Sequence, residues 1–143
     1  MKDAVQKKLD RYKCKTAEEE ENAIKEITQE VALYALSKQG FFQEACFQGG
    51  TCLRIVHGME RFSEDLDFSL RDPDPNYDVV PYLEKSASII NGFGFTVEIS
   101  GKDRENSAVQ MRFLKDDSVK LFLNLKHSSD LRKKIRIKIE VDT

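Results

Sequence analysis

Apolar residues in the first forty positions recur at intervals of three and four. Ile24, Ile27, Val31, Tyr34 and Ala35 fall on one stripe of a helix. Ahead of them Thr16-Ala17-Glu18-Glu19 has the form of a capping box, and Glu18 to Glu21 put acid in a first turn, where the helix dipole favours it. Gly40 stands where such a helix would stop. The spacing predicts one long amphipathic helix over 16–39, preceded by a shorter one over 3–13. The four-glutamate run reads as the solvated start of the long helix rather than as an acidic ligand set.

Beyond position 41 the period shortens to two. Phe42 to Gln48 reads as a short strand ending at Gly49-Gly50, and Thr51 to His57 as a short helix with His57 as its C-terminal cap. Leu66, Phe68 and Leu70 alternate with polar neighbours, the pattern of a half-buried strand. Asp72-Pro73-Asp74-Pro75-Asn76 is a turn-rich loop. Val79, Tyr82, Leu83 and Ile90 predict a helix over 78–91, which Gly92-Phe93-Gly94 ends. Strands are predicted over 95–100, 108–114, 119–125 and 135–141. A polar connection spans 101–106, and Lys115-Asp116-Asp117-Ser118 reads as a hairpin turn. Helices followed by a mixed sheet with one crossover helix make the class α/β, in its α+β form. The expected organisation is an N-terminal helical segment over 1–40 packing on a core over 41–143.

At 143 residues the chain is sized for one domain, and 40% hydrophobic with 34% charged residues suits an ordinary globular protein. No apolar run approaches the ~20 residues of a membrane span, and the N-terminus lacks a signal-peptide apolar core. Three cysteines without a CxxC pair suit reduced thiols in a cytoplasm. Cys46 and Cys52 read as small residues packed beside the glycine turn rather than as metal ligands with His57. Charge is uneven. Residues 1–101 carry 12 Lys and Arg against 18 Asp and Glu, a balance of −6, and residues 102–143 carry 11 against 7, a balance of +4. The basic third is either a surface for nucleic-acid or nucleotide phosphate or a set of lysine-dressed strand edges.

The chemistry concentrates between Phe47 and Phe68, FQGGTCLRIVHGMERFSEDLDF. Gly49, Gly50 and Thr51 are followed, after thirteen intervening residues, by Asp65-Leu66-Asp67. A glycine turn opening a helix lets backbone N–H groups approach a phosphate. Residues i and i+2 of a strand share a face, so Asp65 and Asp67 present two carboxylates to one point, a site for Mg²⁺ beside a triphosphate. Ile135 to Asp142 alternates strictly. Its isoleucines and Val141 face a core, while Arg136, Lys138, Glu140 and Asp142 share the other side; taken alone, it is an amphipathic strand with a solvated face.

The joined spacing resembles the signature of the polymerase-β-like nucleotidyltransferase superfamily. GGT-x-LR followed by RFSEDLDF is similar to its AbiEii-like branch, the nucleotidyltransferase toxins of abortive-infection and toxin–antitoxin systems. The resemblance covers the chain from about Phe41 onward. It implies Mg²⁺-dependent transfer of a nucleotide from a nucleoside triphosphate to an acceptor, RNA such as tRNA, in a protein opposed by a cognate antitoxin. It makes Asp65 and Asp67 catalytic metal ligands and supplies a third carboxylate from a neighbouring strand, Glu140, with Asp142 as runner-up. Lys138 becomes a phosphate contact, and Gly49, Gly50 and Thr51 hold the phosphates by backbone N–H and hydroxyl. Arg54 faces either the phosphates or solvent, and the resemblance favours the phosphates. Arg61 and Ser63 either steady the loop before the acidic strand or touch substrate. Relatives continue past the third acidic strand into a helical C-terminal region, whereas this sequence ends at Thr143. A truncated, inactive nucleotide- or RNA-binding module is therefore the alternative expectation.

Overall fold

The computed structural model describes residues 2–103, 107–128 and 133–143. Two helices come first, α1 (Lys2–Tyr12) and α2 (Ala17–Lys38). Thr16 caps α2 by accepting the Glu19 N–H at 3.1 Å, and the Glu19 carboxylate reaches back to the Lys15 N–H at 2.5 Å, one residue earlier than in a strict capping box. A 3-10 turn (Phe41–Gln43) leads into β1 (Ala45–Gln48), so the first strand is shorter than the pattern predicts. Then follow α3 (Gly49–His57), β2 (Asp65–Leu70), α4 (Val80–Asn91), β3 (Val97–Ser100), β4 (Val109–Asp116), the one-turn α5 (Val119–Phe122) and β5 (Ile135–Asp142). Gly58 (φ +74), not His57, closes α3 in the left-handed conformation.

The strands form one mixed sheet in the order β1-β2-β5-β4-β3. Among the described residues β2 and β5 pair in parallel, and the other neighbouring strands are antiparallel. Strict alternation puts Leu66 and Phe68 of β2 and Ile135, Ile137, Ile139 and Val141 of β5 on the buried face, each at most 1% exposed. Each such side chain contributes roughly 1.5–3 kcal/mol of burial. α2 lies against β5 and α4, and α4 against β3, so the N-terminal helices share one core with the sheet. Phe41 sits in that core edge-on to Phe68, with ring centroids 4.9 Å apart.

The strand expected over 119–125, with its hairpin turn at 115–118, does not form. β4 continues through Asp116, whose carboxylate accepts the N–H groups of Ser118 at 3.2 Å and Val119 at 2.8 Å and turns the chain into α5. Burial of Val119, Lys120 and Leu123 then follows a helical interval rather than alternation. The glutamate run is also not uniformly solvated. Glu20 is 3% exposed and accepts the N–H groups of Lys126, His127 and Ser128 at 2.7–2.8 Å and the Ser128 hydroxyl at 3.0 Å. Burial opposes its ionisation, but these hydrogen bonds outweigh it and hold the carboxyl below its ordinary range. Glu21 pairs with the buried Lys120 at 2.5 Å. Cys46 is exposed, because β1 turns Ala45 inward and sets Cys46 opposite Ser69 on the other side of the sheet.

Candidate active site

The sheet face opposite the helices carries the charged residues. Parallel pairing of β2 with β5 sets Asp65 opposite Lys138 and Asp67 opposite Glu140, so Asp65, Asp67 and Glu140 meet across the two central strands. Asp142 lies one step further, opposite Ser69. The Lys138 ammonium stands 3.4 Å from Asp65 Oδ2 and 3.1 Å from Glu140 Oε1. Its hydrogen bond to Glu140, together with the charge of Asp65, raises the Lys138 pKa. The Asp67 pKa is raised as well, which for an acid disfavours the charged form. Burial, then the charges of Glu140 and Asp65 and a hydrogen bond with Glu140, push its carboxyl above the usual range. This is a surplus of negative charge that one ammonium only partly offsets.

The glycine turn abuts these carboxylates. β1 pairs Gln48 with Asp67, and Gly49 follows as the first residue of α3 with φ +83. A Cβ there would stand 2.5 Å from Asp67 Oδ2, so only glycine fits both the backbone and the neighbour. A Cβ on Gly50 would stand 3.0 Å from Ser63 Oγ, which places the Ser63 hydroxyl at the same turn. The Gln48 side chain makes no capping hydrogen bond at the N-terminus of α3, an end whose first N–H groups have no partner within the helix.

Two residues expected at the phosphates are otherwise engaged. Thr51 is 1% exposed and its hydroxyl donates to the Asp65 carbonyl, tying α3 to the start of β2 rather than facing the turn. Arg54 forms an ion pair with Glu26 of α2, donates to the carbonyls of Met59 at 3.1 Å and Glu60 at 2.6 Å, and lies 3.8 Å over the Phe62 ring. Its fork of donors clamps the loop 58–64 that delivers Asp65. Arg61 is exposed at the rim of a cleft over Gly50 and Ser63.

The same loop is held by residues the periodicity did not single out. Gln29 is fully buried and donates to the Ser63 carbonyl at 2.8 Å. Tyr12 donates to Glu26 Oε1 at 2.6 Å, and burial plus that bond raise its phenol pKa. The one available signal was polar residues beside the apolar stripe of α2, and their partners lie about thirty positions away in sequence. The basic run Arg132-Lys133-Lys134 begins outside the described residues; Lys133 and Lys134 are exposed.

Asp65, Asp67 and Glu140 carry hard oxygen donors of the kind that Mg²⁺ takes. The donor chemistry fits that ion. Among the described residues no group of three or more His, Cys, Asp and Glu side chains stands in a ligating arrangement, and Lys138 pairs with two of the acids.

An α+β sheet with a glycine turn beside acids on two adjacent central strands has the form of a nucleotidyltransferase-like fold. A family model described as the nucleotidyl transferase AbiEii toxin of a type IV toxin–antitoxin system matches residues 31–143, and the chain belongs to that family. The match starts inside α2, so Tyr12, Glu26 and Gln29 lie outside it. No curated protein and no solved structure matches the chain. Among the described residues no helix is long and apolar enough to cross a membrane.

Proposed function

We propose that this chain is a Mg²⁺-dependent nucleotidyltransferase of the cytoplasm that moves a nucleotide from a nucleoside triphosphate to an RNA hydroxyl, such as one on tRNA, and that a cognate antitoxin opposes it. The observation that carries the reading is the register placing Asp67 beside Glu140 and Asp65 beside Lys138, directly against the Gly49-Gly50 turn. The α3 N–H groups and the Ser63 hydroxyl receive phosphate oxygens, and Lys138 adds a point charge. Asp65, Asp67 and Glu140 would hold the Mg²⁺, which would supply positive charge to the transferring nucleotidyl group. The acceptor hydroxyl passes its proton to the Asp67–Glu140 pair as its oxygen bonds to the α-phosphorus. The bond from that phosphorus to the bridging oxygen breaks and pyrophosphate leaves.

A second reading, a nucleotide- or RNA-binding module without turnover, is favoured by the Lys138 ammonium seated between Asp65 and Glu140. One experiment separates the two. Pyrophosphate release is measured with each nucleoside triphosphate and pooled RNA, with Mg²⁺ or chelator, in the native chain and in Asp65→Asn. Mg²⁺-dependent release lost in the variant supports the enzyme. Triphosphate binding without release supports the module, and absence of both overturns the nucleotide reading.

A further inference from the structure

β4 breaks the character of the face it shares with the carboxylates. β2 and β5 present Asp65, Asp67, Lys138, Glu140 and Asp142 there, whereas the next strand presents Val109, Met111 and Phe113. Register sets Val109 opposite Asp142, Met111 opposite Glu140 and Phe113 opposite Lys138. The Phe113 ring is covered by the Arg136 guanidinium at 3.8 Å. Val109 is exposed at 39% and Met111 is half-buried, on a strand whose neighbour on this face is almost wholly charged.

They form the floor of a cleft of about 320 Å³ lined by Lys102, Ser107, Val109, Met111, Lys138 and Glu140. Contacts of the described residues hold Lys102 and Ser107 in place. Gly101 adopts φ +110 and packs so closely that a Cβ would stand 3.1 Å from the Met111 carbonyl oxygen. Asp103 forms a 2.6 Å ion pair with Arg112, a side chain only 11% exposed. These two contacts fix the backbone on either side of Lys102. At the other end the Ser107 hydroxyl oxygen accepts the Val109 N–H at 3.1 Å.

We infer that this cleft receives the nucleoside half of the bound triphosphate, with the base lying on Val109 and Met111. The inference rests on the nucleotidyltransferase reading above and follows from direction. The glycine turn lies on the β1 side of the carboxylates and the cleft on the β4 side, with β2 and β5 between them. When the β- and γ-phosphates occupy the turn and the α-phosphorus stands over the acids, the position in line with the leaving pyrophosphate belongs to the acceptor hydroxyl, and the ribose and base leave the α-phosphorus to the side, over β5 and onto β4. Neighbouring strands are ~4.8 Å apart, so Met111 lies one strand from Glu140 and two from Asp67. An apolar floor accepts the flat face of a base, and a thioether packs against a ring by its polarisability. Lys102 and Ser107 stand where polar edges of the base or a ribose hydroxyl would end. The cleft is at the lower end of the roughly 300–1,000 Å³ range of small-ligand sites, the size for one nucleoside rather than a strand.

The test compares Mg²⁺-tripolyphosphate with the four Mg²⁺-nucleoside triphosphates by calorimetry, in the native chain, Met111→Ala, Met111→Leu and Val109→Ser. At least one nucleoside triphosphate should bind on the order of tenfold or more tightly than tripolyphosphate. Met111→Ala and Val109→Ser should remove most of that advantage, Met111→Leu should retain it, and tripolyphosphate affinity should be equal in all four proteins. Equal tripolyphosphate binding together with unchanged thermal unfolding shows that the variants fold. Failure of tripolyphosphate to bind the native chain would overturn the underlying nucleotide reading. Tripolyphosphate binding with no gain from any nucleoside, or a gain that survives both truncations, overturns the cleft alone. Truncations that weaken RNA binding while leaving triphosphate affinity intact assign the cleft to the acceptor and overturn it too.

Discussion

The Asp67 carboxylate occupies the space that a side chain at Gly49 would need: a Cβ on Gly49 would lie 2.5 Å from Asp67 Oδ2 and 3.2 Å from Asp67 Cβ. The glycine turn and the acid are therefore parts of one packing unit, joined through the pairing of Gln48 with Asp67. Gly49→Ala should cost about 1–2 kcal/mol for its left-handed backbone and displace Asp67 as well. Denaturant unfolding should show the stability loss, and pyrophosphate release should fall more than tenfold. A stable variant with native activity would uncouple the turn from the acid.

Asp67 makes a prediction about pH. Its carboxyl is raised by burial and by the charges of Glu140 and Asp65. The folded chain therefore binds this proton more tightly than the unfolded chain, and the contribution to stability is complete below the ordinary aspartate pKa. It is lost as pH rises through the raised folded value. Asp67→Asn should accordingly stabilise the ligand-free protein at neutral pH, by a few tenths to about 1 kcal/mol, and the gain should vanish toward acid. The same substitution should abolish Mg²⁺-dependent triphosphate binding. A variant less stable than the native chain at neutral pH would show that the acids do not repel.

Glu20 has the opposite sign. Its carboxyl is held low by the Lys126, His127 and Ser128 hydrogen bonds despite burial. The stability it confers is complete above the ordinary glutamate pKa and lost as pH falls through the depressed one. Glu20→Gln should cost about 2–3 kcal/mol at neutral pH, since hydrogen bonds to a buried charge are replaced by weaker or missing ones. Urea unfolding at neutral and acidic pH should show the gap narrowing toward acid. A gap independent of pH would remove the charge from the explanation.

Arg54 separates positioning from binding. Arg54→Lys keeps the charge toward Glu26 but loses the fork that reaches the Met59 and Glu60 carbonyls and the stacking on Phe62. Turnover should fall on the order of tenfold while tripolyphosphate affinity changes less than about twofold, a difference of under ~0.4 kcal/mol. Affinity falling in step with turnover would instead make Arg54 a phosphate ligand.

The periodicities of the chain carried most of the fold. Strict alternation at 135–142 and at Leu66, Phe68 and Leu70 determined two strands and which face each buries, because a strand has only two sides. The three-and-four spacing from Ile24 to Ala35, with Thr16 ahead of it, determined α2 for the same kind of local reason. The spacing of Gly49-Gly50 from Asp65 and Asp67 pointed to the candidate site before any strand was paired. Local pattern failed where a distant partner decides. Residues 119–125 carry enough apolar side chains for a strand, but the Asp116 carboxylate turns them into a helix. Glu20 looks like a solvated first-turn acid until the 126–128 segment, more than a hundred positions away, lays its N–H groups on it. Thr51 and Arg54 share a motif with the glycine turn, yet packing spends one on the Asp65 carbonyl and the other on Glu26 and the 58–64 loop. The sequence by itself determined most of the long helices and strands and which residues carry charge. Only the tertiary structure decided that β2 and β5 pair in the register placing Glu140 beside Asp67, and that β4 lays Val109 and Met111 alongside, because strand order and register depend on contacts that no stretch of sequence contains.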